Sequence, residues 1–198
     1  MYSKKQLEKA LTLLGQKLEL KNSSPVILVA CGGSSLIMSG LISRATKDVD
    51  IVAMGEANKK SILNFRDSNP LPETLLKAVS EVAHDLGMNE QWLNSGPGNI
   101  MKEGLPRGFL ERAGKHSYAK LMTIYFLGRY DQIHLKLFAA VDQGPGRHVN
   151  DLLALHPSGD EIETAEVWAL KHDSSEGFRA VLKDMLRELR YESIAEKI

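Results

Sequence analysis

One segment limits the folds open to this chain more than any other. An apolar run, Val26 to Ala30, stops at Gly32-Gly33, and after a short amphipathic stretch the chain reads Asp48-Val49-Asp50-Ile51. The run is rich in β-branched residues and predicts a buried strand. Residues 34–42 predict a short helix with Leu36, Ile37 and Leu41 facing inward, and residues 48–53 a second strand. Strand side chains alternate between faces. Asp48 and Asp50 therefore share one side while Val49 and Ile51 turn into the core.

The flanks supply the layers a sheet needs. Leu7, Leu11, Leu14 and Leu18 recur at helical spacing within 3–20, with Ser3 as the N-cap, and Ser23-Ser24-Pro25 ends that helix. Another helix is expected from Pro72 to Leu86, closed by Gly87. Residues 88–114, rich in Gly, Pro and Asn, read as loops. A third strand is expected over 118–127 and a helix over 131–141. Gly144-Pro145-Gly146 breaks the chain, and helices follow over 147–155, 159–172 and 175–190. The expected fold is α/β (α+β), a small mixed sheet flanked by helices. Residues 1–143 would form that domain, N-terminal helix included, and 144–198 a helical extension packed on it.

Two neighbouring carboxylates repel one another unless a cation lies between them. Hard oxygen ligands suit Mg²⁺, or Mn²⁺, which takes its remaining ligands from water and substrate phosphates. Gly32 and Gly33 let the backbone approach a ligand closely, and Ser34 adds a hydroxyl. A triphosphate on that turn would reach a metal on the next strand, as nucleotidyl transfer requires. Taken singly, each feature also has a plain reading: a solvated acid pair, a tight turn, a helix cap.

Gly-Gly-Ser, a short helix and Asp-x-Asp in a strand resemble the signature of the nucleotidyltransferase superfamily. Arg44, Thr46, Asp48 and Asp50 are similar to the Arg-x-Thr-x-Asp-x-Asp form of its AbiEii-like branch, and Lys136-Leu-Phe-Ala139 followed by Asp151 to that branch's second motif. Trp92-Leu-Asn and Gly104-Leu-Pro-Arg-Gly-Phe resemble a related uncharacterised bacterial family. The resemblance implies transfer of a nucleoside monophosphate from an NTP to an RNA, protein or small-molecule acceptor, with Asp48 and Asp50 on the metal. Gly32, Gly33, Ser34, Arg44 and Thr46 would then bind the nucleotide, and Lys136 and Asp151 would serve catalysis. It also implies a toxin role with a cognate antitoxin. This chain departs from the pattern in two respects. The strand expected to carry a third acid has none, with Asp131 just beyond it. Where the branch carries an Arg and a further Asp around the second motif, this chain has Asp142 or Gln143 and His148. The alternatives are therefore a nucleotide-binding module without turnover and an antitoxin-like partner protein.

Formal charge balances, with 25 basic and 25 acidic residues, so wholesale binding to a polyanion is not expected. Arg107, Arg112, Lys115, His116 and Lys120 form a loose basic cluster, read as a solvated face or a docking patch for RNA or nucleotide. The one cysteine, Cys31, reads as a small buried residue in a reducing compartment. No leader and no bilayer-length apolar run is seen, so a cytoplasmic protein without membrane contact is expected. The six histidines are scattered, which disfavours zinc; His134 and His148 remain candidates for lining the site. Trp92 and Trp168 read as core. Lys136 sits in an apolar helix, where an ammonium needs either an acid, Asp151 by resemblance, or a bound phosphate.

Overall fold

The computed structural model describes residues 1–57, 63–96 and 100–198. Among them are ten helices and a six-stranded mixed sheet. The chain divides into two compact units: Met1–Gly104 with Gly108–Gly128, and Leu105–Arg107 with Arg129–Ile198. No described helix is long and apolar enough to cross a membrane.

The first unit is built on the sheet. Helix α1 (Lys4–Leu20) begins at Ser3, whose hydroxyl accepts from the Gln6 N–H while the Gln6 side chain accepts from the Ser3 N–H, a reciprocal cap. Leu7, Leu11, Leu14 and Leu18 are all fully buried, as their spacing demands. Each such leucine contributes roughly 1.5–3 kcal/mol relative to exposure. Strand β1 (Val26–Cys31) runs into α2 (Gly32–Met38), then β2 (Val49–Ala57), β3 (Leu63–Asp67) and α3 (Glu73–Leu86). Gly87 closes α3 at φ 62°, the left-handed conformation glycine adopts without penalty.

Residues 88–114, expected as loops, contain more structure than their composition suggests. Strand β4 (Leu93–Ser95) and the single turns α4 (Ile100–Glu103) and α5 (Phe109–Arg112) lie there. The strand expected over 118–127 proves to be part of a hairpin, β5 (Gly114–Tyr118) and β6 (Met122–Phe126). Its turn carries no glycine; Ala119 takes the left-handed conformation at φ 55° instead.

The strand order is β3-β2-β1-β6-β5, with β4 joining the β2 edge beside β3. Strands β1 and β6 are parallel, β1 and β2 antiparallel, and β2 and β4 parallel. Helices α1 and α3 bury their apolar stripes in one cluster with Leu28, Ala30, Val49, Ile51, Ile124 and Phe126. Strand β2 has a bulge: Ala30 pairs with Ile51 and Val29 with Ala53, leaving Val52 as the extra residue. The bulge switches which side chains of β2 face the cluster, from Val49 and Ile51 to Met54. The start of β2 thus sends Asp50 to the opposite face while its far half still packs.

The second unit is helical: α6 (Arg129–Gln143), α7 (Gly146–Ala154), α8 (Gly159–His172), α9 (Glu176–Glu188) and the short α10 (Glu192–Ala195). Helix α6 groups here, not with the sheet, so the division falls at Gly128/Arg129 where the sequence placed it after residue 143. Asp131 to Leu137 are buried without a break, which puts α6 at the centre of its unit with α7, α8 and α9 packed around it. Arg129, at the start of α6, is bonded to the connection between α7 and α8 and to the first turn of α8. Its guanidinium donates to the Leu155 and His156 carbonyls, each at 2.7 Å, and to both Glu161 oxygens. Those bonds hold the Glu161 carboxyl below the usual range.

Candidate functional site

The sequence-predicted residues divide between the two units. Gly32, Gly33, Ser34, Arg44, Thr46, Asp48 and Asp50 belong to the sheet unit, and Lys136 and Asp151 to the helical one.

In the sheet unit the glycine turn and the β2 edge are in direct contact. Cys31 and Asp50 are cross-strand partners. Gly32 takes φ 68°, and a Cβ there would lie 2.8 Å from Asp50 Oδ2. On Gly33 a Cβ would lie 2.6 Å from Thr46 Oγ1 and 3.5 Å from the Arg44 guanidinium. A Cβ at either glycine would displace a neighbouring side-chain end, the Asp50 carboxylate at the first and the Thr46 hydroxyl at the second, and at Gly32 the positive φ also favours glycine. Gly96 flanks the acid on its other side, where a Cβ would come 3.3 Å from Asp50 Cβ. Thr46 is held by a bridge to Tyr2 and is itself buried.

The acid pair alternates with the core as its spacing predicts: Asp48 and Asp50 are half-buried, Val49 and Ile51 fully buried. Asp50 pairs with Asn94 on β4, so their side chains share a face. Asp48 and Asn94 line one open cavity of about 420 Å³ together with Tyr2, Lys47, Asn89 and Gln91. Asp48 and Asp50 thus both belong to the face marked by Asn94. Among the described residues no group of three or more His, Cys, Asp or Glu side chains could hold a metal ion. Two carboxylates are the donor set that suits Mg²⁺ when a substrate phosphate completes the shell.

Ser34 departs from its expected role. It is fully buried, and its hydroxyl donates to the Cys31 carbonyl at 3.0 Å, while Ser35 donates to the Ala30 carbonyl at 2.6 Å. The single Ser34 hydroxyl proton is spent on the strand end it follows, so it serves the turn and not a phosphate.

Lys136 is also placed differently from a phosphate ligand. It is 5% exposed, and its ammonium bonds Asp151 Oδ2 at 2.7 Å, joining α6 to α7. The counter-charge this buried cation requires is already present. Asp131 is fully buried on α6. His134 packs between the Tyr130 and Trp168 rings, with centroids at 4.5 and 5.8 Å. Trp92 is core, as expected, its indole N–H donating to the Val79 carbonyl at 3.1 Å.

Sequence reasoning gave no site role to Tyr2, Asn89, Gln91 or Asn94, the last of them named only within Trp92-Leu-Asn. A signal existed: Gln91 and Asn94 bracket the apolar Trp92-Leu93 pair, a polar–apolar–polar pattern inside a stretch otherwise read as loop. No family model matches this chain, and neither a curated protein nor a solved structure matches it.

Proposed function

We propose that the sheet unit binds an NTP with Mg²⁺ and transfers its nucleoside monophosphate to an acceptor hydroxyl. The observation that carries this reading is the contact between the glycine turn and the acid edge: Gly32 against Asp50, and Gly33 against Thr46 and Arg44. A triphosphate lying on the turn has backbone N–H donors beneath it and Arg44 beside it, and its α-phosphate reaches the Asp48–Asp50 edge. The acceptor oxygen would attack the α-phosphorus and lose its proton to solvent. The bond to the bridging oxygen breaks, and pyrophosphate leaves. A metal bound to Asp48 and Asp50 supplies charge neutralisation for the attacked phosphate and the leaving group. Fixed positive groups matter because they stabilise charge that grows only in the transition state.

A second reading, nucleotide binding without turnover, is favoured by the donor set, since the described residues supply two acids and no third. Two experiments separate the readings. Calorimetry with each common NTP should show much tighter binding with Mg²⁺ than without, and Asp48→Asn with Asp50→Asn should abolish the metal dependence. Equal affinity with and without the metal would sink the metal-dependent transfer reading, and no binding of any NTP would sink both. Pyrophosphate release on adding candidate acceptors then distinguishes transfer from binding alone.

A further inference from the structure

The cavity beside Asp48 has a lining unlike the rest of the site. It holds three side-chain amides, Asn89, Gln91 and Asn94, with Tyr2 and Lys47. We propose that it is a nucleobase-binding subsite in which these amides read the hydrogen-bonding edge of the base. The inference rests on the nucleotide-binding reading above and adds to it where the base goes and what selects it.

A side-chain amide carries a donor and an acceptor on one carbon, which matches the neighbouring donor and acceptor on the Watson–Crick edge of each nucleobase. Two of the three amides are held in place by the backbone. Asn89 Oδ1 accepts from the Gln91 N–H at 2.8 Å, which leaves the Asn89 NH₂ as a donor. Asn94 Nδ2 donates to the Gln91 carbonyl at 3.3 Å, which leaves Asn94 Oδ1 as an acceptor. The third, Gln91, is exposed and adjustable. Tyr2 is fixed as a wall, its hydroxyl accepting from the Asn89 N–H at 2.8 Å. A volume of about 420 Å³ falls within the range of small-ligand sites, roughly 300–1,000 Å³.

Position makes the same argument. Asp48 lines the cavity and is also one of the two acids of the phosphate edge. Neither glycine of the turn lines it. A nucleotide whose β- and γ-phosphates lie on the turn and whose α-phosphate lies at the acids must direct its sugar and base past Asp48. All of these residues belong to the sheet unit.

The test compares wild type, Gln91→Ala and Asn94→Ala by calorimetry with the Mg²⁺ complexes of the four NTPs and of inorganic tripolyphosphate. Wild type should rank the NTPs. Each variant should weaken the preferred NTP about tenfold and flatten the ranking, with tripolyphosphate affinity unchanged. Gln91 is exposed, so its variant folds whatever happens to Asn94→Ala, whose position is on β4. An unranked wild type, or variants that keep the wild-type ranking, overturn the proposal. Saturation-transfer NMR with the four free nucleosides, which bring neither phosphate nor metal, tests the cavity by itself. Nucleoside binding lost in Gln91→Ala supports the subsite even if tripolyphosphate fails to bind, a result that would remove only the phosphate site. No nucleoside binding together with unchanged NTP affinities in both variants would remove only the subsite.

Discussion

The two units handle buried charge in opposite ways. In the helical unit Lys136 and Asp151 neutralise one another at 2.7 Å, with side chains 6% and 5% exposed. In the sheet unit Asp48 and Asp50 bring two like charges to a half-open edge lined by glycines. A sealed pair of opposite charges is complete in the folded chain. An open pair of like charges gains from a cation and an anion supplied from outside. The contrast sets a sealed ion pair of opposite charges in the helical unit against an open edge of like charges in the sheet unit.

The largest effect expected from breaking this contrast is at the helical pair. Lys136→Met or Asp151→Leu alone strands a buried charge and should cost about 3–5 kcal/mol, read from urea denaturation. The double variant Lys136→Met/Asp151→Leu should recover most of that loss, since an apolar pair of similar volume needs no counter-charge. Single variants with near-native stability would show that the ion pair is not the packed structural contact described.

A smaller effect sharpens the account of the glycine edge. Gly32 and Gly40 have nearly equal φ, 68° and 70°, but only Gly32 has a neighbour where a Cβ would be. Alanine at either position meets the same backbone penalty, about 1 kcal/mol. Gly32→Ala should lose about 1–3 kcal/mol more than Gly40→Ala through the clash with Asp50, and with it Mg²⁺-dependent NTP binding. Equal melting temperatures for the two variants would mean that Asp50 moves aside freely and is not held at the turn.

The smallest expected effect is at Glu166, a buried acid of α8 whose carboxyl is pushed above its usual value of 4.5, chiefly by burial and then by Glu163. Between the unfolded value and the higher folded one, the native state binds more protons. Stability therefore falls as pH rises through that window and stays lower above it. Glu166→Gln should remove this slope and raise stability slightly at neutral pH, measured as melting temperature against pH. A variant that keeps the wild-type slope would place its origin elsewhere.

Much of the framework was legible because its causes are local. The Ser3 cap, the leucine stripe of α1, strand β1, the stop at Gly87 and the alternation from Asp48 to Ile51 are all set by residues within a turn or two of one another. The hairpin of β5 and β6 was not legible, since its turn uses Ala119 and lacks the Gly or Asn that normally marks one. Strand β4 was missed because a three-residue segment has too little periodicity to read. It exists because the edge of β2 accepts it, with the Val49 N–H donating to the Trp92 carbonyl at 2.7 Å.

The sequence by itself singled out the candidates: the glycine pair, the paired acids and the lone lysine in an apolar helix. Only the tertiary structure decided what each one faces. It spent the Ser34 hydroxyl on the Cys31 carbonyl, gave Lys136 to Asp151, assigned α6 to the helical unit, and set Asn89, Gln91 and Asn94 around Asp48. The physical reason is range. Helical and strand periods arise from neighbours along the chain, whereas a polar atom's partner is chosen by whichever distant element packing brings within about 3 Å.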